Sequence, residues 1–172
     1  MQNIFQMQNN ISTDRLLLDL LTEEDHEFIM QLVNSEGWIR FIGERNVHTK
    51  EDALAYAQKI MAMQNLFYWV VRMKEGNIPV GIISFLKRAY LDHYDIGFAF
   101  LPEYCGRGFA YEASKKIFDI ALMHPEHQTI LATTIPANTN SIKLLLRLGM
   151  HFEKEIEAGS DILHVYSNQA AG

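Results

Sequence analysis

The run Asp95-Ile-Gly-Phe-Ala-Phe-Leu-Pro-Glu-Tyr-Cys-Gly-Arg-Gly-Phe-Ala-Tyr-Glu-Ala113 narrows the folds open to this chain more than any other segment. It reads as an apolar strand stopped by Pro102, a tight turn holding Gly106 and Gly108, and a helix over 110–123. A second β-rich run, Thr129 to Ile135, follows it. Strand, helix and strand in that order can pair the two strands in parallel through a right-handed crossover, which points to an α/β fold. The same segment implies a binding site. Neither glycine carries a Cβ, so the backbone can approach a ligand closely. The helix that follows presents unpaired N–H groups and the positive end of its dipole to that spot. Together these make a phosphate site built mainly from main chain.

The remaining elements follow from periodicity. Leu16, Leu18 and Leu20 mark a strand near 14–20. Thr22 with Asp25 reads as a helix cap, ahead of Phe28, Ile29, Leu32 and Val33 at helical spacing. Residues 38–43 read as a short turn or helix. Thr49 with Asp52 repeats the cap signal before a helix over 50–64, whose apolar stripe is Leu54, Ala57, Ile60 and Met61. Phe67–Met73, Pro79–Leu86 and Tyr94–Leu101 read as an antiparallel meander, with Glu75-Gly-Asn77 as a hairpin turn. Ser141–Leu148 reads as a helix closed by Gly149, and strands follow near 151–157 and 161–167. The expected architecture is a single domain over 1–172 with an ordered core of about 11–168. Its centre is a mixed, mostly antiparallel sheet of about seven strands with flanking helices. The order is strand, two helices, three strands, helix, strand, helix, two strands. The polar ends, 1–10 and 168–172, are expected to fray.

Composition limits the partners. Apolar residues make up 48% and charged residues 21%, enough for a sizeable core. A net charge of −6 argues against nucleic acid, although Lys87, Arg88 and Arg107 can supply a local basic spot. The amino terminus shows no basic segment or apolar run of a secretory signal, and no run is long enough for a bilayer, so no membrane partner is expected. Cys105 is the single cysteine and excludes an internal disulfide, which fits a cytoplasmic setting. His124 and His127 are three apart, but Pro125 interrupts them, and no metal site is expected.

Two familiar phosphate loops fail on the residues. No Lys-Ser or Lys-Thr follows Gly108, as a nucleoside-triphosphate loop requires. The third small residue of a dinucleotide fingerprint falls on Tyr111. The segment instead resembles the acetyl-CoA motif of the GNAT N-acetyltransferases, and the likeness runs along nearly the whole chain. Thr13-Asp-Arg-Leu-Leu-Leu18 is similar to that family's opening strand, and Asn138-Thr-Asn-Ser-Ile-Lys-Leu-Leu145 with Leu148-Gly-Met150 to its second motif. The RimJ/RimL-type branch is the nearer likeness. Cys105 departs from it, standing where Gln or Arg is common, and so does Asp19, which replaces a basic residue.

The resemblance implies acetyl-CoA as co-substrate and direct transfer to a primary amine on a small molecule, peptide or protein. Phe100 and Leu101 would pair with the pantetheine arm as an added strand. The N–H groups of Gly106, Arg107, Gly108, Phe109, Ala110 and Tyr111 would hold the pyrophosphate. Asn138 and Ser141 would sit beside the pantetheine or the thioester. The reaction needs a neutral amine, donors for the developing oxyanion, and a proton for the leaving thiolate. An α-amine with a pKa near 8 is partly neutral at pH 7, whereas a lysine amine is neutral in only about one molecule in two thousand. Asp95 is the first candidate base, against the alternative that it merely pairs with Arg88. Glu44 is the second. The Leu101 N–H is the candidate oxyanion donor and the Ser141 hydroxyl the candidate acid. Trp38 and Phe41, in the least regular segment, are candidates for the acceptor pocket, with Glu44 in the loop beyond. A non-catalytic CoA-binding sensor or interaction module stands as the alternative function, and a homodimer is left open.

Overall fold

The computed structural model describes residues 9–170. Strands β1 (Ile11–Ser12) and β2 (Leu16–Leu20) open the chain, and helices α1 (His26–Val33), α2 (Glu36–Phe41) and α3 (Lys50–Ala62) follow. The meander is β3 (Leu66–Met73), β4 (Ile78–Leu86) and β5 (Asp95–Phe100). Helix α4 (Phe109–Leu122), β6 (Leu131–Thr134), α5 (Thr139–Arg147), β7 (His151–Ala158) and β8 (Asp161–Ser167) complete it. All eight strands form one sheet in the order β1-β2-β3-β4-β5-β6-β8-β7. Every pairing is antiparallel except β5 with β6.

Local sequence explains most boundaries. At α3, the Thr49 hydroxyl accepts from the Asp52 N–H while the Asp52 carboxylate accepts from the Thr49 N–H, so two orphan amides are satisfied at once. At α5, the Gly149 N–H donates to Leu146 and the Met150 N–H to Leu145, the hydrogen-bond pair of a Schellman cap. The sequence expectation omits β1, because two residues carry no periodicity, and leaves 38–43 between turn and helix where α2 forms. On α3 the buried stripe is Ala53, Ala57 and Ile60, whereas Met61 is exposed. Residues 1–8 and 171–172 of the expected frayed ends lie outside the described residues. The described parts of those ends are tied down: the Asn10 N–H donates to Asp19 Oδ1 at 2.9 Å, and Asn168 Oδ1 accepts from the Ile130 N–H at 2.8 Å.

The sheet separates two apolar layers. Cross-strand register sets Phe67, Phe85 and Ile96 on one face, with Trp69, Ile83 and Phe98 in the next row, and these pack with α4 and α5. The opposite face carries Tyr68, Ser84 and Gly97 in one row and Val70, Ile82 and Ala99 in the next, under α1, α2 and α3. Gly81 makes the β4–β5 contact possible, since a Cβ there would stand 2.4 Å from the Phe100 ring and 2.7 Å from the Ala99 carbonyl oxygen. Gly81→Ala is expected to cost about 1–3 kcal/mol through overpacking, read as a lower urea midpoint. An unchanged midpoint would mean that Phe100 has room to move aside.

Candidate active site

The parallel pair β5–β6 meets at one point. Asp95 is opposite Leu131, and the Leu131 N–H donates to the Tyr94 carbonyl at 2.9 Å. No further β5–β6 partner is paired, so the two strands diverge towards their C-terminal ends. The Leu101 N–H donates to Val80 on the β4 side at 2.9 Å. Since main-chain groups alternate along a strand, those of Phe98 and Phe100 face the side from which β6 has turned away. The open edge is therefore Phe98 and Phe100. This corrects two expectations: the Leu101 amide is committed to β4, which removes it both from the free edge and from the role of oxyanion donor.

Both helix N-termini point to the open end of this wedge, because α4 follows β5 and α5 follows β6. At the α4 start, Gly106 and Gly108 take φ of +79° and +83°, a region that side chains other than glycine rarely enter. Space is clear around Gly106, with nothing within 4 Å of a Cβ built there. The first helical bond is Glu112 N–H to Gly108, so the amides of Gly108, Phe109, Ala110 and Tyr111 have no acceptor within the helix. At the α5 start, Asn138 Oδ1 accepts from the Ser141 N–H at 3.3 Å, making Asn138 the cap and leaving the half-buried Ser141 one turn into the helix.

A bracket that the sequence reading missed holds the turn. Arg15 Nη1 donates to the Arg107 carbonyl at 3.0 Å, and Arg15 Nε and Nη2 donate to Glu112 Oε2, each at 2.7 Å. Glu112 Oε1 also accepts from the Thr13 hydroxyl at 2.6 Å and the Arg15 N–H at 2.9 Å. One carboxylate thus ties the opening strand to the first turn of α4. Thr13 and Arg15 belong to the motif quoted above, but a contact across about a hundred residues leaves no mark on local periodicity. Positive charge collects around the turn. The guanidiniums of Arg15, Arg107 and Arg147 stack over Phe109, Tyr104 and Tyr111 at 4.4, 5.3 and 3.8 Å. Arg147 comes from α5 and was not foreseen. Arg107 and Arg147 thus place positive charge beside a turn where Cys105 offers none. Burial, with Glu103 nearby, pushes the Cys105 thiol up, which suits a passive side chain.

Asp95 lies at the closed vertex, 3% exposed, with both carboxylate oxygens 3.1 Å from Arg88 Nε. It shares a sheet face with Gly97 and Ala99. Burial pushes its carboxyl up, and Arg88 offsets only part of that rise. Trp38 is buried and Phe41 half-buried with Arg40 over its ring at 4.8 Å. Glu44 stays in an exposed local loop, accepting from the Asn46 N–H at 2.8 Å and standing 3.4 Å from His48 Nε2. The expected set therefore divides. Phe100 and the 106–111 turn stand on one side of the wedge and Asn138 and Ser141 on the other, Asp95 marks its vertex, and Glu44 engages only its own loop.

Two features lie at the other end of the strands. A cleft of about 250 Å³ is lined by residues including Leu91, Asp92, His93, Thr129 and Leu131, around the starts of β5 and β6. His124, Glu126 and His127 bring one donor atom each to within 4.8 Å of one another, so a carboxylate does join the two histidines despite Pro125. Neither feature adjoins the glycine turn in the fold.

The bracket carries a pH signature. Burial alone would raise the Glu112 pKa, but its bonds to Thr13 and Arg15 outweigh that and hold it below its ordinary 4.5. A depressed carboxyl contributes stability above its unfolded pKa and loses it as pH falls through the folded value. Glu112→Gln is accordingly expected to lower the melting temperature at pH 7 and to change it little at pH 3. An equal drop at both values would show that the charge is not what matters.

The comparisons with known proteins agree with this geometry. The profile of the acetyltransferase (GNAT) domain family matches residues 15–151. An uncharacterized N-acetyltransferase, YnaD of Bacillus subtilis, is 28% identical over 156 residues, covering 88% of this chain and 91% of that protein. A GNAT-family acetyltransferase from Bacillus anthracis superposes with a TM-score of 0.76 at 27% identity, over 91% of this chain and 96% of that one. RimL, a ribosomal L7/L12 α-N-protein acetyltransferase solved with coenzyme A, shares the fold with a TM-score of 0.80 at 13% identity, over 93% of this chain and 97% of its own. A mostly antiparallel sheet that opens between two parallel strands, with a glycine turn and helix mouth at the opening, thus goes with a profile match over most of the sequence, and the chain belongs to the GNAT acetyltransferase family.

Proposed function

We propose that this acetyltransferase carries an acetyl group from acetyl-CoA directly to the nitrogen of a primary amine, in a ternary complex and in the cytoplasm. The observation that carries the reading is the wedge between β5 and β6, with a bare main-chain edge on one strand and a helix mouth at its open end. The main chain of Phe98 and Phe100 would pair with the pantetheine amides. The N–H groups from Gly106 to Tyr111 would hold the pyrophosphate, inside the collar of Arg107 and Arg147. β5 is about 17 Å long at the usual rise per residue. An arm entering from the glycine turn would run along this edge towards the vertex at Asp95. When bound, acetyl-CoA supplies the activated acetyl group and a thiolate that leaves.

Asp95 is the group proposed to take the proton released by the attacking amine. It sits at the closed end of the wedge, and the raised pKa makes it a stronger base than a solvated carboxylate. Ser141 is proposed to donate a hydrogen bond to the departing sulfur. The Phe98 amide, the edge donor nearer to the vertex, replaces Leu101 as the proposed oxyanion donor, which leaves the Phe98 carbonyl and the Phe100 main chain for the pantetheine amides. The net change is one new N–C bond, one broken C–S bond, and one proton moved from nitrogen to solvent or sulfur. The similarity to RimL favours an α-amino group as the acceptor, within a RimJ/RimL-like branch.

Gly108→Val is expected to raise the acetyl-CoA Kd about tenfold or more, because it strains a left-handed position and a side chain blocks the approach. An unchanged Kd would place the pyrophosphate elsewhere. Asp95→Asn is expected to lower kcat about a hundredfold with acetyl-CoA affinity retained. The decisive assay is free-CoA release across a panel of amines. Turnover with at least one amine is expected. A chain that binds acetyl-CoA and acetylates nothing would be the non-catalytic module instead.

A further inference from the structure

The connector between α4 and β6 gathers two imidazoles and a carboxylate outside the wedge. His124, Glu126 and His127 each bring one donor atom to within 4.8 Å of the others. The two rings are 5.3 Å apart at their centroids, and His124 Nδ1 is 3.9 Å from Glu126 Oε2. The arrangement is held in place from several sides. His127 is buried, with edge contacts to the rings of Phe85 at 5.1 Å and Tyr94 at 4.8 Å. The turn itself is pinned through Gln128. Its side chain donates to the Leu122 and His124 carbonyls at 2.7 and 3.1 Å, and its carbonyl accepts from the Asn168 and Gln169 side chains at 3.0 and 2.7 Å. Electrostatics favour a cation there as well. The turn follows the C-terminus of α4, where the helix dipole is negative, and the last turn of that helix holds no basic residue.

We propose that His124, Glu126 and His127 bind a divalent transition-metal ion of the zinc class, with water completing its shell. Two imidazoles and a carboxylate suit zinc and its neighbours, whereas magnesium and calcium take oxygen ligands. Zinc bonds to nitrogen and oxygen are about 2.0–2.2 Å long, which sets tetrahedral donors about 3.4 Å apart. The donor atoms therefore need to close by at most about 1.5 Å. Glu126 is exposed and His124 partly so, and both can supply that movement while His127 stays anchored. The bond from the Glu126 N–H to His124 Nδ1 competes only weakly for the ring, since 3.3 Å is beyond the usual range. An ion held here ties the end of α4 to Phe85 and Tyr94 through the His127 ring. It lies away from the glycine turn, so its role is to brace the fold, and the inference stands apart from the acetyl-transfer reading.

The test is calorimetric titration of the untagged, metal-stripped chain with zinc chloride, and with magnesium chloride as the control, on wild type, His124→Ala and Glu126→Gln. Both replaced side chains lie outside the buried core, and the melting temperature without metal checks that the variants fold. Wild type is expected to bind about one zinc ion per chain and no magnesium, and to melt at a higher temperature with zinc present. Each variant is expected to lose about tenfold or more in zinc affinity, and the thermal shift with it. Absence of zinc binding by the wild type overturns the assignment. So does an unchanged zinc affinity in either variant, which would place the ion on others of the chain's seven histidines. Magnesium bound as tightly as zinc overturns it too. None of these results bears on acetyl transfer, which is read separately by CoA release.

Discussion

The single bridge between Asp95 and Leu131 is the constraint on which the site depends. Parallel strands that stayed paired would close the sheet and spend the main-chain groups of Phe98 and Phe100 on β6. Because pairing stops after one bridge, those groups are left along an edge, and the helices that follow the two strands start at the mouth of the gap. In the proposed function the edge would hydrogen-bond an extended arm, the mouth would hold a diphosphate with amides and a dipole, and the vertex would limit how far the arm travels. One unfinished strand pairing thus creates all three features on which the proposal draws.

Ion pairs hold this opening in shape from both ends. At the mouth, Glu112 binds Thr13 and Arg15, and Arg15 reaches the Arg107 carbonyl, so the opening strand fixes the glycine turn. At the vertex, Asp95 is buried against Arg88. The two carboxylates differ in environment and so in character. Glu112 is partly exposed and held charged by its donors, which suits a brace. Asp95 is almost fully buried with a raised pKa, which suits proton transfer. The sheet then divides the labour between its faces. One packs α4 and α5 behind the glycine turn, while the other, which also carries Asp95, packs α1, α2 and α3.

Much of the fold is legible from local patterns. The meander, the glycine turn, the capping boxes and the Schellman glycine all depend on residues within a few positions of one another. The donor turn shares this property, since Gly106, Gly108 and the first amides of α4 are consecutive. Misses occur where an element is too short for periodicity, as in β1, or where the inner stripe of α3 falls on alanines and not on Met61. The proposed catalytic residues are less legible. Leu101 is adjacent to the edge that matters, but strand alternation turns its amide to Val80. Arg147 reads as a helix-terminal charge until α5 packs beside α4.

What the sequence by itself determined is the order of elements, the chemistry of the turn and the family likeness, because these rest on propensity, spacing and backbone freedom encoded within short windows. What only the tertiary structure decided is where β5 and β6 part, which amides face the gap, and which distant side chains brace it. Those depend on register and on contacts between residues as far apart as Arg15 and Glu112. No local window contains both partners of such a contact, so their pairing becomes visible only once the sheet has been assembled.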